Sequence, residues 1–197
     1  MKSLYSFIIK PLKERYNNEK QVGDKSLILN TTINNHRFVS KEAVVVSVPA
    51  AYSSQIKQND IVQVHHNLFR RWHDQKGVER NSSTYFKDDL YFASPEQIYM
   101  YNLKSHLNYC FVKPIKNQDL LSNEKEQTNV GIVKYGNSSL ERLGITPGAL
   151  VTFTPNSEFE FIIDGERLYC MKSNNIALTH EYKGNEIENN PSWAKSS

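Results

Sequence analysis

The chain contains little cysteine and glycine and has no long apolar run. Its 197 residues include two cysteines and eight glycines. Two cysteines do not make a disulfide framework, which favours a reduced, cytoplasmic setting. No stretch of about 20 apolar residues could span a bilayer, and residues 1–5 lack the apolar stretch and cleavage site of a signal peptide. The sequence has 24 basic and 21 acidic residues, so its net charge is small. Neither nucleic acid nor a membrane surface is therefore expected as a partner.

Motifs of catalysis are also missing from the sequence. No glycine-rich phosphate loop ends in Lys-Ser or Lys-Thr, and no Gly-x-Ser-x-Gly elbow occurs. The pairs Asp88-Asp89 and Asp164-Gly165 are typical of turns, and the second predicts a hairpin between two strands. We therefore expect a protein that is not an enzyme and needs no cofactor.

What is present is a repeat. The segments 7–12, 43–49, 59–64 and 90–98 have counterparts in the same order at 111–115, 130–136, 148–153 and 168–176. Alternating apolar and β-branched residues within them predict strands, and short strands with polar turns favour small barrels. The sequence thus predicts an all-β fold with domains at 1–102 and 108–182. Residues 183–197, which are polar and rich in Asn and Ser, are expected to form a flexible tail.

The first copy carries an insertion that the second lacks. From Pro11 to Val46 there are 35 positions, and from Pro114 to Val133 there are 19. The excess lies within residues 17–38, where one apolar triplet, Leu27, Ile28 and Leu29, has polar flanks. Two interpretations are open: a short edge strand, or a mobile loop that holds the triplet out for a partner.

A second insertion in the first copy holds the basic segment 65–73. Three histidines there, His65, His66 and His73, would be needed for a metal site, but adjacent residues of a strand face opposite sides. Arginines and an aromatic ring could instead contact nucleic acid. We favour an oligomer or domain interface, because Arg and Trp are common interface anchors. Its residues would be Phe69, Arg70, Arg71 and Trp72.

These patterns together resemble the GroES family of co-chaperonins. Lys10-Pro11-Leu12 matches the end of the family's first strand, Leu27-Ile28-Leu29 is similar to the apolar tip of its mobile loop, and residues 58–62 are similar to its Val-Gly-Asp-x-Val turn. The second copy has Val130-Gly131-Ile132 where the family has a glycine-containing strand. Both copies are short in the segment that forms the roof hairpin of bacterial members, as in phage-encoded co-chaperonins.

The resemblance implies two tandem GroES-like barrels and a function by binding. The triplet Leu27, Ile28 and Leu29 would contact a GroEL-like chaperonin ring, which the protein would cap to assist folding in the cytoplasm, or in the host cytoplasm if it is encoded by a phage. The resemblance also implies a homo-oligomer, with a heptamer matching the chaperonin ring. The alternative is a structural or assembly protein of a virion, built on the same barrel.

Overall fold

The computed structural model describes residues 2–16, 19–22, 25–28, 38–118 and 124–196, with the backbone alone for 19–22 and 25–28. The chain divides into two compact units, Met1–Asn102 and Leu103–Ser197. Paired antiparallel strands dominate both units, which confirms the all-β class.

The strands of the first unit are short and joined by turns. They are β1 (Phe7–Pro11), β2 (Glu19–Val22), β3 (Lys25–Ile28), β4 (Glu42–Ser47), β5 (Ile61–Val64), β6 (Arg71–His73), β7 (Glu79–Asn81), β8 (Tyr85–Lys87), β9 (Leu90–Ala93) and β10 (Ile98–Tyr101). Two single-turn 3-10 helices lie at His66–Leu68 and Pro95–Gln97.

The second unit has fewer and longer strands. They are β11 (Lys104–Ser105), β12 (Tyr109–Lys116), β13 (Glu126–Tyr135), β14 (Leu150–Phe153), β15 (Phe159–Ile163), β16 (Glu166–Lys172) and β17 (Ile176–His180). One α-helical turn, α1, spans Ser138–Glu141, and 3-10 helices span Ser173–Asn175 and Ser192–Ser196.

The two units share one strand order. The first contains the series β10-β5-β4-β1-β9-β8, and the second contains β17-β14-β13-β12-β16-β15. Taken strand by strand, β1 corresponds to β12, β4 to β13, β5 to β14, β10 to β17, β9 to β16 and β8 to β15. The sequence repeat is therefore a repeat of topology.

The register of the ladders is repeated as well. Ile9 lies opposite Tyr91 and Val45, and Val112 lies opposite Tyr169 and Val133. In each unit the pairing of the first strand shifts one residue before this position, between Ile8 and Ile9 or between Phe111 and Val112. Residue Lys10 consequently corresponds to Lys113, Pro11 to Pro114 and Leu12 to Ile115.

Each unit packs its strands against buried apolar side chains. In the first unit Phe7, Ile9, Val45, Val62 and Tyr91 are fully buried. Strand pairing among the described residues does not close either sheet into a barrel. The all-β class is therefore shown, whereas the closed barrels that the sequence predicts stay a prediction.

The C-terminal segment, for which the sequence predicts a flexible tail, makes contacts with the second unit. Residues 186–196 lie against the second unit, where Ala194 is fully buried and Glu188 forms an isolated bridge with Ile115. The Asn190 side chain donates to the Gly165 carbonyl at 3.0 Å and accepts from the Arg167 amide at 3.0 Å. The Asn190 side chain thus satisfies backbone groups of a turn, and the flexibility of the segment stays a prediction.

None of the helices in the described parts of the chain is long and apolar enough to cross a membrane.

Candidate functional site

The predicted contact triplet begins in a hairpin of its own. Among the described residues, strands β2 and β3 pair with each other and with no other strand, with Lys20 opposite Leu27 and Glu19 opposite Ile28. Leu29 lies outside the described residues. Leu27 and Ile28 are in a strand which, in the part of the chain that the structure describes, does not extend the main sheet. The chaperonin contact itself stays a prediction.

The base of this insertion is fixed by Arg15 and Tyr16. An isolated antiparallel bridge joins Tyr16 to Val39 and brings the two ends of the insertion together. The Arg15 guanidinium donates from Nε to the Phe69 carbonyl at 2.5 Å and from Nη1 to Asn81 Oδ1 at 2.7 Å. The two insertions that distinguish the first unit thus meet at Arg15.

Tyr16 strengthens the same junction. Its hydroxyl accepts a hydrogen bond from the Arg71 amide at 2.7 Å, and the Arg71 guanidinium lies over its ring, 4.8 Å from the centroid. Tyr16 is itself buried in the first unit's core. Tyr16 therefore anchors the start of the insertion to the rest of the first unit.

Phe69 requires a correction. The sequence predicts it as an interface residue, but its side chain is fully buried and its ring packs against Tyr91 with centroids 4.8 Å apart. The Leu68 carbonyl beside it accepts hydrogen bonds from Ser82 and Thr84 at 2.6 and 3.0 Å. Phe69 belongs to the core because the 3-10 turn at His66–Leu68 directs the chain inward. It offers no surface to a partner.

The other three predicted interface residues have different settings. Arg71 forms an ion pair with Glu79 at 2.9 Å across the β6–β7 hairpin. Trp72 is 47% exposed. Arg70 and Trp72 line an open depression of about 350 Å³, whose other lining residues are Asn67, Ser82 and Ser83. Arg70 and Trp72 remain candidates for an interface, whereas Arg71 is engaged within its own hairpin.

The histidines of this segment do not converge. The rings of His65 and His66 stack with centroids 4.5 Å apart, while His73 lies on β6. His65 Nδ1 accepts from the Asn67 amide at 3.1 Å, and burial lowers the pKa of His65. Across the described residues, no group of three or more His, Cys, Asp or Glu side chains is arranged to hold a metal ion.

The two cysteines lie in the core of the second unit's sheet. Cys110 and Cys170 are both buried thiols. Burial raises the pKa of Cys110 to about 12. A thiol of that pKa is protonated at neutral pH and is a poor nucleophile, so Cys110 fits a packing role.

Sequence reasoning missed Arg15 and Tyr16, the residues that join the two insertions. No motif marks them, because their partners lie more than 50 positions away in the chain. No known family of proteins has a model that matches this sequence, and no curated protein matches it. The resemblance to GroES therefore rests on the residues and their order alone.

Proposed function

We propose that the protein is a co-chaperonin that caps a chaperonin ring through Leu27, Ile28 and Leu29. The observation that carries the proposal is the asymmetry of the repeat. Between the corresponding strands β1 and β4 the first unit carries the β2–β3 hairpin, whereas β12 and β13 are joined by a shorter link. An apolar segment inserted at that place is what the GroES resemblance expects.

The anchoring of the insertion's start by Arg15 and Tyr16 also supports the proposal. Arg15 and Tyr16 bind the start of the insertion to the rest of the first unit. Pairing of β2 with β3 also lowers the entropy that is lost when the segment docks. The protein acts by binding, and the chaperonin supplies the ATPase.

Avidity is the second physical requirement. One apolar triplet buries little surface, so a single contact is weak and reversible. A ring of subunits that presents several triplets together multiplies such weak contacts into a lid. Because only the first unit has the insertion, each chain offers one contact, and a seven-fold chaperonin calls for a heptamer of chains in the cytoplasm, or in the host cytoplasm for a phage protein.

The direct test is co-elution with a bacterial chaperonin in the presence of ATP. We expect the full chain to co-elute, and Ile28→Asp to bind at least about tenfold more weakly, because it places a charge in an apolar groove. Leu143→Asp is the matched control, since Leu143 is an apolar side chain, 75% exposed, in the other unit. Equal binding by wild type and Ile28→Asp would show that the triplet is not the contact.

The virion alternative is compatible with the same pairing of β2 with β3. A paired hairpin suits a static grip on a neighbouring subunit as well as it suits reversible capping. Native mass spectrometry separates the two functions. A heptamer supports the co-chaperonin, while a chain that stays monomeric under all conditions removes the avidity and favours the virion component.

A further inference from the structure

The repeat reveals a difference at the end of the first strand of each unit. In the second unit, β16 pairs with β12 only along residues 109–112. Beyond residue 112, the C-terminal segment forms hydrogen bonds with β12 instead. The Pro114 carbonyl accepts from the Asn189 amide at 2.8 Å, and the Lys116 amide donates to the Ile187 carbonyl at 2.7 Å. The segment therefore completes the edge of β12 that β16 leaves open.

Side chains reinforce this pairing. The Lys113 ammonium contacts Glu188 at 2.5 Å and Glu166 at 3.0 Å, and its side chain is 6% exposed. Burial alone would lower the pKa of Lys113, but the hydrogen bonds to Glu188 and Glu166 outweigh it and raise the pKa. Ile115 is 1% exposed under the same cover. A glutamate flanked by extended backbone is thus the fitting partner for this edge.

The corresponding edge of the first unit is uncovered. Strand β9 pairs with β1 only along residues 7–9. Among the described residues, no backbone group pairs with the Pro11 carbonyl or the Lys13 amide on that side, and no carboxylate lies within 4 Å of the Lys10 ammonium. Lys10 is exposed and Leu12 is 37% exposed, in contrast to Lys113 and Ile115.

We propose that residues 10–13 form a docking edge for an extended acidic segment of another protein. A glutamate of that segment pairs with Lys10, its neighbours bond the Pro11 carbonyl and the Lys13 amide, and Leu12 is covered. The second unit supplies the template, since residues 187–189 make each of these contacts there. The charge of the first unit is complementary, because it carries 14 basic residues and 10 acidic ones.

The occupant is a different protein because the chain's own C-terminal segment is already engaged. Asn190 and Ala194 hold it on the second unit. The edge lies on β1 and does not include Leu27, Ile28 or Leu29, so the inference stands apart from the chaperonin contact.

The test uses the full chain and a synthetic peptide with the sequence of residues 183–196. In NMR titrations of the isotope-labelled protein, we expect the amides of Leu12 and Lys13 to shift on addition of peptide. Lys10→Glu should weaken binding about fivefold, as for the loss of one partly covered ion pair. Lys57→Glu is the control with the same charge change, because Lys57 is an exposed lysine of the same unit away from this edge.

A charge exchange makes the test specific for the pair. A peptide with Glu188→Lys should bind wild type weakly and recover affinity on the Lys10→Glu protein. Three results would overturn the proposal: no shift at Leu12 and Lys13, equal effects of Lys10→Glu and Lys57→Glu, or slow hydrogen exchange of the Lys13 amide in the free protein. A dimer of the full chain that is lost on Lys10→Glu would also overturn it, since a second copy would then fill the edge.

Discussion

The two units have the same strand order and register, but different segments of chain cover their cores. In the first, the insertion between β5 and β8 sends Leu68 and Phe69 into the core. In the second, α1 contributes Leu140, and the C-terminal segment covers the end of β12. A repeated strand order and register can therefore be closed by unrelated pieces of chain. The comparison teaches that the strand order and register are common to both copies, whereas the segments that cover each core are specific to one copy.

The chain carries a natural means of testing this difference. Its two tryptophans are divided between the units, Trp72 in the first and Trp193 in the second, and both are about half exposed. Replacing one of them by phenylalanine leaves a fluorescence signal from the other unit alone. Urea unfolding of the two single-tryptophan proteins then reports the stability of each unit separately.

The largest effect is expected from Phe69→Ala. Truncating a fully buried phenylalanine costs about 3–5 kcal/mol of unfolding free energy, and the loss should appear in the Trp72 signal while the Trp193 signal keeps its midpoint. Phe86→Ala is the matched control, because Phe86 is 41% exposed in the same unit. If the two substitutions cost the same, Phe69 does not complete the first core.

A smaller effect, confined to the second unit, is expected from Gly131→Ala. The added Cβ would lie 2.5 Å from the Lys113 carbonyl oxygen, so the close approach of β12 and β13 must relax at a cost of about 1–3 kcal/mol. At Gly136, directly after β13, the atom nearest to an added Cβ would be 3.8 Å away. Gly136→Ala should therefore be nearly neutral in the Trp193 signal, and a cost as large as that of Gly131→Ala would contradict this account.

The C-terminal cover is tested by Asn190→Ala. This change leaves the Arg167 amide and the Gly165 carbonyl without their partner, at a cost of about 1–2 kcal/mol. Hydrogen exchange should quicken at the Arg167 and Lys116 amides. The Trp72 midpoint should not move, and unchanged exchange at both amides would support the prediction of a flexible tail.

The smallest expected change in stability is the one that mild acid causes in the second unit. Burial would raise the pKa of Glu126 and Glu166, but hydrogen bonds from Arg167 and Tyr169 to Glu126, and from Lys113 and Lys134 to Glu166, lower both below 4.5. Their folded-state pKa values lie below the unfolded ones, so they stabilise the second unit above about pH 4.5 and the benefit is lost as pH falls through the lowered values. Glu126→Gln should flatten this dependence in the Trp193 midpoint, and an unchanged slope would refute the assignment.

Local patterns in the sequence predicted local structure well. Ser94 before Pro95 is a sequence pattern typical of a helix start, and a 3-10 turn forms there, in which Gln97 accepts from the Ser94 amide at 2.9 Å. Asp164 and Gly165 have positive φ values and join β15 to β16, as the hairpin signal predicts. These features depend on neighbouring residues, whose preferences act whatever the rest of the chain does.

Long-range packing was the part that the sequence could not predict. Phe69 and Trp72 lie three positions apart in one amphipathic segment, yet one is fully buried and the other 47% exposed. The difference depends on Tyr91 and Arg15, which are distant in the chain. The candidate site was predictable as an apolar triplet in an insertion, but the anchoring of that insertion by Arg15 and Tyr16 was not.

The C-terminal segment that covers β12 also affects when the second unit can finish folding during synthesis. Every strand of the seven-stranded sheet lies within residues 7–105, so that sheet can form while the rest of the chain is still being synthesised. The second unit forms β12 early, but residues 187–190, which finish its edge, leave the ribosome after all its other strands. On the nascent chain the end of β12, with Lys113 and Ile115, stays uncovered until residues 187–190 have been synthesised. This is the interval in which the second unit is most open to wrong pairing.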